Sequence, residues 1–295
     1  ANLRDIEFNL FEANKIQEYL ASGPFAQMDR DTAGDVLREV ERLALEEFSL
    51  TFADLDHEGP KLVDGQVKLP PALKQTLDPY FEGGWDRIAM PEDLGGFGAP
   101  PSLRWAVQEL FSGANAAAFL YVGAPLMAYV IAKVGTPEQK DTWARWSMDR
   151  RWGATMVLTE ADAGSDVGAG ITKAIPVEGD TYHIEGVKRF ITSGDGDYFE
   201  NVLHLTLARP VGAGPGTKGL SCFIVPKYLP NADGSPGEWN GVSVTKIEDK
   251  MGITGSVTCE LTFGLDKPCI GYLLGGVHEG IRQMFHVLED ARMSI

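Results

Sequence analysis

The chain has 295 residues, 44% of them hydrophobic, and this length fits one large globular domain or two ordinary ones. Its 42 acidic and 26 basic side chains give a formal net charge of −16 without a basic stripe, which argues against nucleic acid as a partner. Three cysteines without CxxC spacing and five histidines without ligand spacing argue against a disulfide framework and against a metal site.

The first half of the chain is predicted to be helical. Apolar residues form a helical stripe over 31–48, and a second, alanine-rich helix is predicted over 103–121. Thr136 and Pro137, followed by Gln139, predict a capped helix start. No apolar run approaches the ~20 residues of a membrane helix, and the N-terminus lacks a signal-peptide pattern. We therefore expect a soluble, cytoplasmic protein without a membrane span.

Short β-rich runs begin near Trp152. They cover 154–158, 171–177, 181–191, 201–208, 219–225, 242–247 and 256–263. Apolar and polar residues alternate in 202–207 and 257–263, and glycine-rich turns separate the runs. Because these runs follow one another without an intervening helix, they predict an antiparallel β-barrel or sandwich.

Helical periodicity returns at 280–292, and the chain stops within it without a cap or stop signal. We therefore expect the chain to be a fragment. The predicted fold class is α+β with several domains. An N-terminal helical bundle is expected at 1–152, a middle β-barrel or sandwich at 153–277, and the incomplete start of a C-terminal helical domain at 278–295.

Two polar segments follow predicted strands: TEADAGSD at 159–166 and GVKRFITSG at 186–194. They offer free backbone N–H groups and the hydroxyls of Thr159, Ser165, Thr192 and Ser193. A flat, partly polar ring such as a flavin suits such a surface, because apolar side chains cover its face and polar groups bind its edge. The alternative, which each segment favours when taken singly, is an ordinary polar turn. Together the segments favour a binding site.

In combination these segments resemble those of the acyl-CoA dehydrogenase family. Segment 159–166 is similar to the signature TEPxAGSD, with Ala161 in place of proline, and segment 186–194 is similar to GxKx[WF]IT[NS]G. The order of GTPEQK at 135–140, DKMG at 249–252 and the helix at 280–292 also fits, and GAGPGTKGLS at 212–221 is shared with long mycobacterial-type members. The resemblance covers the whole chain. It implies a helical domain, a β-barrel and a C-terminal four-helix domain, of which only the first turns are present.

The resemblance implies α,β-dehydrogenation of an acyl-CoA, in which a carboxylate takes the α-proton and flavin N5 takes the β-hydride. It implies FAD as the cofactor, lined by Met156, Leu158, Thr159, Gly164, Ser165, Phe190, Ile191 and Thr192. Phe190 is expected to stack on the ring and Thr192 to bind near N5 and O4. Substrate contacts are expected from Ser165, Glu289, Asp290 and Arg292. Electron-transfer flavoprotein as acceptor and a homodimer or tetramer are further expectations.

The catalytic base is expected outside this chain, beyond Ile295. A minority of the family carries a glutamate directly before the arginine that resembles Arg292, but Ala291 occupies that position. Glu289 and Asp290 are each turned by ~100° per residue around the helix, so neither is expected to point correctly. The chain alone is therefore expected to be inactive and to hold FAD weakly. Two alternatives stay open: an acyl-CoA oxidase or related flavin enzyme of the same fold, and a non-catalytic subunit that completes a partner's site.

Overall fold

A computed structural model of the protein describes residues 2–293. The helices in this part of the chain are α1 (Leu3–Glu7), α2 (Arg30–Leu43), α3 (Phe52–His57), α4 (Pro71–Glu82), α5 (Pro101–Ala114), α6 (Ala116–Phe119), α7 (Ala124–Val134), α8 (Pro137–Gln139), α9 (Arg145–Asp149) and α10 (Gly280–Met293). A π-helical segment at 44–48 continues α2, and another at 140–144 joins α8 to α9. The helices α1 to α9 precede the β-rich region, as the sequence predicts.

The predicted helix starts and stops are largely observed. Helix α2 and its continuation match the prediction for 31–48, and Thr136 and Gln139 form the reciprocal capping box. The prediction of one continuous helix over 103–121 is wrong at Asn115, whose backbone is extended with a φ of −155°. The buried Asn115 side chain accepts a hydrogen bond from the Ala118 N–H (3.2 Å) and donates one to the Phe48 carbonyl (3.1 Å). Asparagine is a favoured helix cap, so it ends α5 and starts α6.

One segment, Ala116–Val134, is long and apolar enough to cross a membrane, with a mean hydropathy of 1.7 and half of it buried inside the protein. This finding corrects the expectation that no apolar run approaches such a length. The segment is divided, because α6 ends at Phe119 and α7 begins at Ala124. Helix α7 packs against α9, α10 and β3. Its apolar surface is therefore accounted for by packing within the protein.

The strands of the described residues are β1 (Lys61–Val63), β2 (Gln66–Lys68), β3 (Gly153–Val157), β4 (Lys173–Glu178), β5 (Thr181–Thr192), β6 (Val202–Pro210), β7 (Ser221–Pro226), β8 (Tyr228–Pro230), β9 (Pro236–Trp239), β10 (Val242–Ile247), β11 (Thr258–Phe263) and β12 (Cys269–Leu273). Strands β5, β12, β7, β6 and β4 pair in a closed ring, which β3 extends at β6 and β11 and β10 extend at β5. The predicted α+β class with a β-barrel after the helices is confirmed.

The barrel differs from the prediction in two respects. Strands β3 and β4 both run parallel to β6, whereas the prediction was antiparallel throughout. Parallel partners need a long crossover, and the chain passes through β4 and β5 between β3 and β6, and through β5 between β4 and β6. Strand β12 was not predicted, because Gly271 interrupts a run of only five residues.

Strand β6 connects the barrel to the helices through its outer face. Leu203, Leu205 and Leu207 pack outward in one core with α7, α9 and α10, which contributes Met284 and Val287. The alternate residues of β6 are buried on the opposite, interior face of the barrel. The first site segment follows β3, the strand beside β6, so this packing fixes its position relative to the helices.

Candidate functional site

Strand β3 and the residue that follows it carry two of the predicted site residues, Met156 and Leu158. Thr155 and Val157 are buried, whereas Met156 and Leu158 alternate with them and are only half-buried. Met156 and Leu158 pack at the margin of the core formed with the helices. The alternation of the strand therefore leaves partly exposed apolar surface directly before segment 159–166.

A tight turn opens segment 159–166. The Glu160 N–H donates to the Ala163 carbonyl (3.2 Å), and the Ala163 N–H donates to the Glu160 carbonyl (3.1 Å). Ala161 occupies the first central position of this turn, which favours proline but accepts other residues. Gly164 and Ser165 follow the turn and are exposed. The replacement of the signature proline by alanine is thus compatible with the turn.

A β-bulge in β5 displays the aromatic ring of the second segment. Ile191 pairs with Cys259 and Lys188 with Leu261, so two residues of β5 face a single residue of β11. Phe190 lies in the bulge with a φ of 61°, a region that costs a non-glycine residue roughly 1–2 kcal/mol. Its side chain is 55% exposed, whereas Ile191 is buried. Strained backbone of this kind is concentrated at binding and active sites.

The structure brings the two segments into direct contact. The Arg189 N–H donates to the Thr159 carbonyl (2.9 Å), and the Lys188 ammonium donates to the Leu158 carbonyl (2.8 Å). These bonds occupy the side of β5 where β4 has stopped pairing. The two segments therefore form one continuous surface, as their combined interpretation as a site requires.

A buried ion pair lies beneath this contact. The Lys188 ammonium is 2.9 Å from Oε1 of Glu160, and the two side chains are 2% and 7% exposed. The same carboxylate accepts the N–H groups of Ile171 (2.7 Å) and Thr172 (3.0 Å). Burial favours neutral Glu160, but the Lys188 charge and these hydrogen bonds outweigh burial and lower its pKa. Burial also lowers the pKa of Lys188, against the opposing effect of Glu160.

The hydroxyls of the two segments differ in their availability. Ser193 Oγ donates to the Leu120 carbonyl (2.9 Å), which ties the end of β5 to the turn after α6. In the part of the chain that the structure describes, the hydroxyls of Thr159, Ser165 and Thr192 make no hydrogen bond to another protein group. Thr192 and Ser165 are exposed and Thr159 is half-buried. These three hydroxyls are therefore available to a ligand.

The predicted substrate residues on α10 are Glu289, Asp290 and Arg292, and their contacts differ from those of the two segments. Asp290 forms an ion pair with Arg104 of α5, and the two side chains are about one-fifth exposed. Glu289 and Arg292 are exposed. Among residues 2–293, no hydrogen bond or ion pair joins Glu289 or Arg292 to segment 159–166 or 186–194. Their role as substrate contacts stays a prediction.

One cavity is lined by no residue of either segment. It has a volume of about 390 Å³ and lies between α1, the π-helical segment Phe8–Ala13 that follows it, α5 and Met293. A smaller cavity of about 190 Å³ lies between Gly59–Pro60 and the β10–β11 hairpin. It adjoins the second segment, because Val257 and Thr258 line it and Thr258 pairs with Thr192. Neither of these two cavities is lined by residues 159–166 or 186–194, so the site is identified by the contacts between the two segments.

Arg209 was missed by the sequence reasoning. Its guanidinium donates to the carbonyls of Gly168 (2.7 Å) and Gly170 (3.3 Å), and to those of Gly214 (2.5 Å) and Gly216 (3.1 Å). It therefore fastens the loop after the first segment to the glycine-rich loop before β7. A single arginine at a strand end carries no sequence signal for this function.

His204 is a core residue of the barrel. It is fully buried, and its Nδ1 lies 2.7 Å from the Thr155 hydroxyl. Burial, and secondarily the Lys227 charge, lowers the pKa of His204 to about 3, so the ring is neutral at physiological pH. Within residues 2–293, no group of three or more His, Cys, Asp or Glu side chains is placed to hold a metal ion.

Comparison with known sequences identifies the family to which this fold and these two segments belong. Residues 35–148 match the N-terminal domain of acyl-CoA dehydrogenases, and residues 155–264 match their middle domain. The chain belongs to the acyl-CoA dehydrogenase family.

Over its whole length the chain is 50% identical to the broad-specificity linear acyl-CoA dehydrogenase FadE5 of Mycobacterium tuberculosis, of which it covers 49%. It spans about half the length of the curated relatives it matches. A probable acyl-CoA dehydrogenase from Mycobacterium abscessus is similar in structure, with a TM-score of 0.70 and 25% identity over 91% of this chain and 64% of that one. An acyl-CoA dehydrogenase complexed with FAD from Bacillus anthracis shares the fold, with a TM-score of 0.69 and 24% identity over 90% of this chain and 41% of that one.

Proposed function

We propose that the protein acts in flavin-dependent α,β-dehydrogenation of an acyl-CoA thioester and that this chain supplies contacts to FAD and to the thioester. One observation carries the proposal: two polar strand ends meet beside an exposed aromatic ring on strained backbone. The relatives reported above are named as acyl-CoA dehydrogenases, which supports the same reaction class.

The surface suits a flat ring with one apolar face and one polar edge. Met156 and Leu158 provide apolar contact, and Phe190 provides an exposed aromatic face for stacking. The hydroxyls of Thr159 and Thr192 have no partner among the other described residues. Such a mixture of apolar lining and few polar groups is typical of cofactor sites.

The residues of this chain would bind and orient rather than transfer the proton. Bound flavin would accept the hydride that leaves the β-carbon of the acyl group. Phe190 would restrict the tilt of the ring, and the Thr192 hydroxyl would hold its polar edge. Gly164 and Ser165 would contact the cofactor without steric hindrance, because both are exposed after the turn, and Ser165 would also contact the thioester. We call the surface formed by segments 159–166 and 186–194 the flavin wall. Ile191 is buried and would support this wall from the core.

We assign no catalytic base to the described residues and expect it beyond Ile295. Glu160 is committed to Lys188 and to two backbone N–H groups. Asp290 is committed to Arg104. A base must reach the α-carbon proton of the substrate, and these contacts leave neither carboxylate poised for it.

The proposal includes further parts that rest on the family resemblance. Electron-transfer flavoprotein is the proposed acceptor, and a homodimer or tetramer is the proposed assembly. Glu289, Asp290 and Arg292 are the proposed acyl-CoA contacts on α10. A cytoplasmic location is supported by three free, buried cysteines, which suit a reducing compartment.

Titration with FAD tests the proposal. The chain should bind FAD saturably at concentrations up to ~1 mM. Quenching of the flavin fluorescence measures this binding. NAD is the matched control, since it carries the same adenine nucleotide without the flavin ring, and it should not compete. Turnover of acyl-CoA by the chain alone is not expected. Absence of saturable FAD binding, or equal binding of NAD, would contradict the proposal.

A further inference from the structure

We propose that Lys188 and Glu160 act as a positioning pair that sets the spacing between segments 159–166 and 186–194 and thereby the geometry in which the flavin ring is held. The part that concerns flavin rests on the proposed function. The part that concerns the two segments rests on the structure alone.

The contacts of the pair converge on the backbone of both segments. Lys188 belongs to β5, and its ammonium reaches the Leu158 carbonyl at 2.8 Å and the Glu160 carboxylate at 2.9 Å. Glu160 in turn accepts the N–H groups of Ile171 and Thr172, where the chain returns from the first segment to β4. The pair thus fixes the beginning and the end of the loop that contains segment 159–166.

The residues expected to touch flavin lie immediately beside these anchors. Thr159 lies between Leu158 and Glu160, and its carbonyl accepts the Arg189 N–H. Phe190 follows two residues after Lys188 and lies in the bulge. A displacement of the Lys188 ammonium would therefore move Thr159 and Phe190 relative to each other, without either side chain being changed.

A stabilising role alone does not explain the arrangement. A buried ion pair is often no more stabilising than apolar side chains of similar volume, because desolvation offsets its attraction. Its hydrogen bonds, however, have fixed directions, and here every oxygen of Glu160 is used. The pair is therefore better suited to hold backbone geometry than to add stability.

Two variants of Lys188 test the proposal. Lys188→Met should raise amide exchange at Arg189, Ile171 and Thr172 at least tenfold and weaken FAD binding at least tenfold. Lys188→Arg should restore part of both, because it keeps a buried donor. If Lys188→Met does not fold, Glu160→Gln and the double variant, which removes both charges, are measured in its place and should show the same two changes.

Lys227→Met is the matched control, because Lys227 forms another buried pair, 2.6 Å from Asp195, with side chains 15% and 3% exposed. It should destabilise the chain while leaving exchange at Arg189 and Ile171 and the FAD affinity within about twofold. If Lys188→Met and Lys227→Met changed amide exchange and FAD affinity equally, Lys188 would have only a stabilising role, and the proposal would be overturned.

The readouts separate this proposal from the proposed function. If the unmodified chain binds no FAD, the proposed function fails, and amide exchange alone decides whether the pair positions the segments. Unchanged exchange in folded Lys188→Met would refute the positioning role. Changed exchange with unchanged FAD affinity would refute its influence on flavin.

Discussion

The residues predicted to bind cofactor and those predicted to bind substrate are held in very different ways. The cofactor residues lie on β3, in the loop that follows it and on β5, and these parts are joined by a backbone hydrogen bond and a buried ion pair. Of the residues on α10, Asp290 forms an ion pair with Arg104 of α5, in which each side chain is about one-fifth exposed. The comparison teaches that the residues proposed to bind flavin are held by contacts between two neighbouring chain segments, whereas the position of the α10 residues follows from how one helix packs on α7 and β7.

The largest expected effect comes from the two ion pairs. Lys188→Met leaves the Glu160 carboxylate buried without its counter-charge and should lower the free energy of unfolding by about 3–5 kcal/mol. Arg104→Met removes a partly exposed pair and should cost about 1 kcal/mol or less. Urea unfolding of both variants measures the difference. Equal losses would mean that the two regions are held equally firmly, and the comparison would be wrong.

The barrel interior behind β3 should respond to acid. The pKa of His204 is lowered from its ordinary value of 6.5 to about 3, so the unfolded chain binds a proton that the folded chain does not. Its contribution to stability is therefore present above pH 6.5 and is lost as the pH falls towards 3, by up to ~1.4 kcal/mol per pH unit. Unfolding of His204→Gln across this range should show a shallower loss than the parent chain. Parallel pH profiles for the two proteins would sink this interpretation.

The smallest expected effect concerns Phe190. Phe190→Ala removes a ring that is 55% exposed, so the stability should change by less than about 1 kcal/mol. If the ring stacks on flavin, the affinity for FAD should fall by about 1 kcal/mol, roughly fivefold. Fluorescence titration measures the affinity and urea unfolding the stability. A large loss of stability without a change in affinity would make Phe190 a structural residue rather than part of the wall.

The sequence predicted the general architecture because its periodicities are strong. The stripe at 31–48, the capping box at Thr136 and the alternation in β6 and β11 each have one dominant structural interpretation. The adjacency of the two segments was also anticipated, since both follow strands and both carry hydroxyls. These features depend on local patterns, which a sequence displays directly.

Features that depend on distant contacts were not predicted. Asn115 breaks a helix because its side chain bonds the Phe48 carbonyl, 67 positions earlier in the chain. Glu160 belongs to a polar turn by its sequence, yet it is buried against Lys188, 28 residues later in the chain. Arg209 joins two loops through carbonyls of four glycines. Each of these depends on tertiary geometry that no local pattern records.

The bulge in β5 shifts the alternation of inward and outward side chains by one residue. Lys188 and Ile191 both face the interior although they are three positions apart, because one extra residue lies between them. Deleting a single residue from 189–190 would therefore do more than shorten the strand. It would remove the bulge and restore regular pairing with β11, so Lys188 and Ile191 would keep their interior positions, but the left-handed backbone position that displays Phe190 would be lost. The exposure of the Phe190 ring therefore depends on one extra residue in the strand.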